Sequence, residues 1–195
     1  MRIGITIELL KALAAVCDKY DINENFHRIF VRPLEKAIYV TDGKMAVRIE
    51  SSKIVMDDDE TCPEYAIEAD EIERLAKLFR QEKIKSHEWE VFSTDSGEAV
   101  NTSGAVWFVN TTKSPVGSPD FSKIFKYERG EDQSWRKYRL DLQLKAEAIY
   151  RAVRQNSKFK YMPQYDEEYI DARGALRLEY EGISESMKAV IMPYR

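Results

Sequence analysis

Two histidines, two cysteines and a few carboxylate clusters are the side chains here that could do covalent or acid–base chemistry, and their spacing argues against it. His27 and His87 lie far apart in sequence. No Gly-rich phosphate loop is present, and no Ser or Cys sits in a recognisable nucleophile turn. No catalytic residue is therefore assigned, and the chain reads as a non-enzyme. Cys17 and Cys62 show no paired spacing, which fits a reducing compartment better than a disulfide scaffold or a zinc site. The run Asp57-Asp58-Asp59-Glu60 lacks the spaced ligands and the glycine of a calcium loop and reads as a solvated loop. Tyr165-Asp166-Glu167-Glu168-Tyr169 reads as a strand edge whose charges discourage aggregation. No metal and no cofactor are expected.

Two other constellations suit non-covalent work. Arg151, Arg154 and Lys158 recur at spacings of three and four, so on a helix they share one exposed face, flanked by Lys145 and Lys160. Arg74, Lys77 and Arg80 repeat the spacing in an earlier segment, whereas Lys11 and Lys19 sit among acidic neighbours. Such strips attract phosphates without reading bases, and binding of that kind weakens steeply with salt. An ordinary solvated helix face has the same pattern. The second constellation is apolar: Val40-Thr41-Asp42-Gly43-Lys44-Met45-Ala46, Ser118-Pro119-Asp120-Phe121-Ser122-Lys123-Ile124 and Val190-Ile191-Met192-Pro193-Tyr194-Arg195. Met, Pro, Tyr and Ile walls offer adaptable surface to an inserted Leu or Phe anchor, and Gly43 lets a backbone approach closely. Alone, Thr-Asp-Gly is a hairpin turn and the terminal run a sheet strand.

The elements that must position these residues fall into three similar units. The first opens with a strand at residues 1–5 and enters a helix at Thr6 or Ile7, with Leu9, Leu13, Val16 and Tyr20 on one stripe widened by Leu10 and Cys17. Strands follow at 26–32, 36–40 and 45–50, broken by Pro33 and Asp42-Gly43. The second has a strand at 65–67 and a helix from Asp70, whose carboxylate would cap free amides while Glu73 reaches back. Ile72, Leu75, Ala76 and Phe79 form its buried stripe, and strands follow at 88–93, 99–102 and 105–111. The third runs from a strand at 135–140 into a helix over 142–157 with Ile149, Ala152 and Val153 inward, then strands at 165–170, 175–180 and 187–192. Units that each need a neighbour to cover their sheet imply a modular architecture.

The 195 residues, 44% of them apolar, suffice for a real core, and the formal net charge of −4 argues against a protein that grips nucleic acid over its whole surface. It leaves room for a local basic strip. The N-terminus shows no signal-peptide pattern, and no apolar run approaches the roughly 20 residues needed to span a bilayer. A soluble, intracellular protein is expected.

The three apolar motifs, in this order, resemble segments of the bacterial DNA polymerase sliding clamp: its apolar-Thr-Asp-Gly turn, its Pro-Asp-aromatic junction, and its terminal apolar-apolar-Met-Pro-x-Arg strand. The resemblance implies an α+β DNA-clamp fold of strand-helix-three-strand repeats, helices lining a hole and sheets forming the outer wall. Residues 1–117 would be one complete clamp-like domain of two units, and residues 118–195 a shortened second domain of one unit. It implies a non-catalytic processivity factor that tethers replication and repair proteins to double-stranded DNA. Polymerases and other clamp-binding proteins would enter, through short linear peptides, a hydrophobic cleft at Thr41, Gly43, Lys44, Met45, Ala46, Pro119, Ile124, Val190, Met192, Pro193, Tyr194 and Arg195. The helix cations Arg74, Lys77, Arg80, Lys145, Arg151, Arg154 and Lys158 would face DNA. A homo-oligomer in the bacterial or phage-infected cytoplasm is expected, with no membrane partner. Because the chain supplies about one and a half domains, ring closure stays open; a clamp-fold regulator or decoy that binds clamp-dependent proteins without encircling DNA is the alternative, and an unrelated α+β binding domain a third.

Overall fold

A computed structural model describes residues 2–52, 54–55, 64–81, 89–92, 98–100, 106–108, 111–113, 115–126, 128–130, 137–154, 165–183 and 185–193. The first unit comprises β1 (Arg2–Ile5), α1 (Ile7–Ala14), β2 (Arg28–Arg32), β3 (Ala37–Thr41) and β4 (Met45–Ser51), followed by the short β5 (Ile54–Val55). Thr6 starts α1 by accepting the Leu9 amide at 3.2 Å. The second unit comprises β6 (Tyr65–Glu68), α2 (Ala69–Gln81), β7 (Trp89–Phe92), β8 (Glu98–Val100) and β9 (Val106–Phe108), with β10 (Thr111–Lys113) after it. A short helix α3 (Phe121–Phe125) leads to the third unit: α4 (Leu140–Val153), β11 (Glu167–Ile170), β12 (Leu176–Glu181) and β13 (Glu185–Ile191).

The first two units exchange their opening strands. β1 pairs antiparallel with β7 of the second unit, and β6 pairs with β2 of the first. Arg28–Glu68 at 2.5 Å and Arg32–Glu64 at 2.5 Å fasten the β6–β2 side. One sheet therefore runs β5-β1-β7-β8-β9. The other runs β10-β6-β2-β3-β4-β13-β12-β11 and carries the third unit on its β4 edge, Met45 opposite Ile191 through Ser51 opposite Glu185. Strand alternation sends Ile29, Val31, Ile38, Val40, Met45, Val47, Ile49, Leu178, Met187 and Ile191 to the helix side. There they pack under Leu9, Leu10, Leu13, Ile72, Leu75, Leu142, Ile149 and Val153, and α1 touches both α2 and α4.

The opposite face is covered locally by α3. Phe121 stacks on Tyr39 at a centroid distance of 4.6 Å and meets Phe30 edge-on at 5.5 Å. Every residue of β3 is consequently buried, on both faces of the sheet. The C-terminus of α3 is tied to the third unit, because the Ile124 carbonyl accepts Arg177 Nη2 at 2.8 Å and Arg173 Nη2 at 3.1 Å. Arg177 in turn donates to Asp171 through Nε (2.9 Å) and Nη2 (2.6 Å). Burial alone would raise the Asp171 carboxyl, but Arg177 and the Ala175 and Arg173 amides hold it below the ordinary carboxylate value. Thus α3 braces the β4–β13 junction from outside.

Several expectations are corrected. Helix α1 ends at Ala14, so Tyr20 leaves the buried stripe and is 97% exposed, while Cys17 is half-buried beyond the helix. Helix α2 opens at Ala69, one residue early, and Asp70 and Glu73 both turn onto Lys19 Nζ, at 2.6 and 2.7 Å. Residues 137–139 enter α4 without strand pairing, and α4 begins at Leu140. The acidic run 57–60, Cys62, His87 and residues 155–164 lie outside the described residues. Among the described residues, no helix is long and apolar enough to cross a membrane.

Candidate functional site

The turn between β3 and β4 is built from its own side chains. Asp42 Oδ1 accepts the Lys44 amide at 2.9 Å and the Met45 amide at 2.7 Å. Thr41 Oγ1 donates to the Met45 carbonyl at 2.8 Å and accepts the Gly43 amide at 3.1 Å. Gly43 adopts φ +78°, and a Cβ there would stand 3.0 Å from the Phe26 ring, so both conformation and space call for glycine. The terminal segment joins this turn directly: Ile191 pairs with Met45, and the Met192 amide donates to the Lys44 carbonyl at 2.8 Å.

Sheet register sorts the expected cleft residues. Thr41, Ala46, Val190 and Arg177 form one cross-strand row on the outer face. Arg177 binds the Ile124 carbonyl there, and the Ile124 side chain packs with the Phe30, Tyr39 and Phe121 cluster. At the other end of the junction, Asn25 Nδ2 donates to the Gly117 carbonyl at 2.8 Å, which brings segment 117–119 beside the loop that carries Phe26. Pro119 is half-buried there, and its carbonyl accepts the Phe121 amide at 2.9 Å. Met192 is 38% exposed and Pro193 half-buried beside it. Met45 is corrected: adjacent strand residues point to opposite faces, and Met45 is 1% exposed in the helix-side core. It supports the turn from beneath. Tyr194 and Arg195 lie outside the described residues.

The helix cations are less free than their spacing suggests. Arg74 donates to Glu71 Oε2 through Nε (3.0 Å) and Nη2 (2.8 Å), and Arg151 pairs with Glu147 one turn earlier. Arg154 donates to the Tyr150 hydroxyl at 2.6 Å and lies over the Tyr150 and Tyr180 rings. Lys77 is exposed, whereas the Arg80 side chain and Lys158 fall outside the described residues. Beside these charges α4 exposes Leu140 (68%) and Leu144 (55%). Lys145 turns toward α1 and lines a groove of about 370 Å³ with Cys17, Asp18, Lys19, Asp42, Lys44, Glu73, Arg139 and Asp141. Burial pushes the Cys17 thiol up to about 12, which keeps it protonated at neutral pH.

The loop at residues 18–26 escaped the sequence reading, because Tyr20 continues the 3.6-residue period of α1 beyond its true end. The signal was present in the alternating Asp21, Asn23 and Asn25, whose side chains favour turns over helix.

Strand-exchanged units, the three longer helices on one face and a sheet continued from the first two units into the third define this chain as a DNA-clamp fold. Its solved neighbours are sliding clamps. The DNA polymerase III subunit beta from Pseudomonas aeruginosa matches with a TM-score of 0.57 at 12% identity, over 100% of this chain and 66% of that one. The Helicobacter pylori beta clamp bound to a DNA ligase peptide matches at 0.57 and 10% identity, over 100% and 65%. The A. fulgidus PCNA bound to the C-terminal region of FEN-1 matches at 0.50 and 13% identity, over 100% and 98%. The chain thus spans just under two thirds of these two bacterial clamps. At the level of sequence, no family model matches and no curated protein is significantly similar.

Proposed function

We propose that this protein is a non-catalytic, sliding-clamp-like processivity factor that tethers replication or repair proteins to double-stranded DNA, its partners docking through short linear peptides. The observation that carries the reading is the direct pairing of β13 with β4, which sets Met192 and Pro193 against the Thr41–Ala46 turn under the α3 brace. The peptide cleft of this reading consists of Thr41, Gly43, Lys44, Ala46, Pro119, Ile124, Val190, Met192 and Pro193, with Tyr194 and Arg195 extending it. Arg74, Lys77, Arg80, Lys145, Arg151, Arg154 and Lys158 form its DNA side. Residues 1–117 act as a whole clamp domain and 118–195 as a shortened one, in a homo-oligomer of the bacterial or phage-infected cytoplasm. A bacterial clamp bound to a DNA ligase peptide and a PCNA bound to a FEN-1 segment support peptide capture by this fold.

A second reading has its own support. Arg74 and Arg151 are neutralised by Glu71 and Glu147, and Leu140 and Leu144 lie exposed on α4. A helix face of that character suits a regulator or decoy that captures clamp-dependent proteins without encircling DNA. Light scattering across a concentration series separates the two. A stable closed oligomer at micromolar concentration supports the encircling clamp, and a persistent monomer supports the regulator.

A further inference from the structure

The longer helices form a row, α2-α1-α4, over the helix side of the sheet. Within the first two units α2 covers the flank of α1 that lies toward β2 and β6. The opening strands there are exchanged reciprocally, β1 to β7 and β6 to β2, so the two units face each other about an approximate two-fold axis. On its other flank α1 meets α4, over the β4–β13 junction.

The third unit repeats this plan with one partner missing. Its strands β11, β12 and β13 stand where β2, β3 and β4 stand in the first unit, β13 lying edge to edge on β4. Segment 128–130 takes the place of β6: Arg129 bridges to Asp171, and the Gly130 amide donates to the Ile170 carbonyl at 3.0 Å. Among the described residues, no helix takes the place of α2 beside α4. Side chains identify the bare flank. Lys145 lines the groove shared with Ala14 and Cys17, which marks the α1 side of α4. Tyr150 meets Tyr165 and Tyr180 at 5.0 and 5.2 Å, and Arg154 lies over Tyr180, which marks the opposite side, toward β11 and β12. At 3.6 residues per turn the seam along that opposite side is Leu140, Gln143 with Leu144, Glu147, Arg151 and Arg154.

The order of residues in the seam says what covers it. Two exposed leucines occupy its N-terminal half, Glu147 its middle and two exposed arginines its C-terminal half. Laid antiparallel on a second copy of itself, the seam sets each pair of leucines under the aliphatic stems of the partner's arginines. Both Glu147 carboxylates then fall near the axis, each between its own Arg151, with which it is already paired, and the partner's Arg151. A two-fold contact requires a patch that is self-complementary in this way.

We infer that two copies join through α4, antiparallel about a two-fold axis, so that each third unit supplies the companion helix the other lacks. The inference rests on the clamp reading above and deepens it by naming the contact between subunits. A pair holds six units, two in each segment 1–117 and one in each segment 118–195, and the two lone units complete one shared domain. Leu140 and Leu144 are then covered by a second copy of this chain and not by a clamp-dependent protein.

Sedimentation equilibrium of the full chain over about 1–100 μM should show a dimer or a multiple of it. Leu140→Glu/Leu144→Glu, altered only at exposed side chains, should weaken that association at least about 30-fold and leave the far-UV circular dichroism unchanged. In a Cys62→Ser background, Gln143→Cys and Glu147→Cys lie beside the axis, and at least one should form a disulfide with its own copy under mild oxidation. Lys77→Cys, exposed on α2, should not. The α4 contact stands only if both results are obtained: an association that survives the leucine substitutions, or no disulfide beyond that of the Lys77→Cys control, overturns it alone and leaves the clamp reading in place. A wild-type chain that stays monomeric across the range overturns the contact and the encircling clamp together.

Discussion

Replacing Arg177 by alanine tests the idea that α3 is held to the third unit by a buried ion pair. Arg177 is 3% exposed and Asp171 2% exposed, and the substitution removes three hydrogen bonds, two to Asp171 and one to the Ile124 carbonyl. Stranding one partner of a buried pair costs about 3–5 kcal/mol. The lower end applies here, about 3 kcal/mol, because Asp171 Oδ1 still accepts the Ala175 and Arg173 amides and Arg173 still reaches the Ile124 carbonyl. Urea unfolding should report this as a lower midpoint, and the double variant Asp171→Ala/Arg177→Met should recover much of the loss by leaving no buried charge. The pH dependence has a fixed sign. Asp171 titrates below its ordinary value of 3.8, so its stabilisation is present above that pH and is lost as pH falls through the lower folded value. The Arg177→Ala variant should lack much of this acid-side loss. A cost below about 1 kcal/mol, within the range of an exposed pair, together with an unchanged acid limb, would refute the brace.

Other perturbations follow from the same geometry. Gly43→Ala should destabilise by about 1–2 kcal/mol, since φ +78° disfavours a Cβ that would also press on Phe26; a neutral result in thermal melts would contradict the turn conformation. Met192→Ala should weaken anchor-peptide binding by about 10- to 30-fold with little change in melting temperature, because the side chain is 38% exposed. On the helix face, Arg151→Ala/Arg154→Ala/Lys158→Ala should flatten the log–log salt slope of DNA binding by up to about 2–3, and Glu147→Gln should steepen it by releasing Arg151. An unaltered slope in both removes α4 from the DNA side. In a Cys62→Ser background, Cys17 should react slowly with a thiol reagent at pH 7, since burial pushes it up to about 12; rapid labelling would mean that the end of α1 opens.

Periodicity was enough to locate the main helices and most of the strands, because their apolar residues repeat at 2 or 3.6 positions, but it did not give the short β5, β10 and α3, and it placed a strand at 135–140 where residues 137–139 form none. The alternation in β4 and β13 and the stripe of α1 up to Leu13 can be read directly from residue types. The misreadings share a cause. Tyr20 and the Asp70/Glu73 pair fit a helical or capping pattern locally, yet the chain turns after Ala14, and Lys19 offers both carboxylates a cation contact that no local pattern contains. Phe121 is visible as an apolar residue near Pro119, but nothing local says that it lies across Tyr39 and closes the outer face of β3.

By itself the sequence determined the helix and the following strands of each unit, the Asp42-Gly43 turn and the motifs that resemble a clamp, since these depend on interactions within a few residues. Only the tertiary structure decided that β1 and β6 change places between units, that β13 lies on β4, and that Met45 belongs to the core while Ala46 faces outward. Strand exchange and register join residues far apart in the chain, and a shift of one residue would send each side chain of a strand to the opposite face. The charge state of the helix face is by contrast local: Arg74 meets Glu71 three residues earlier and Arg151 meets Glu147 four residues earlier on the same helix, spacings that the sequence already contains.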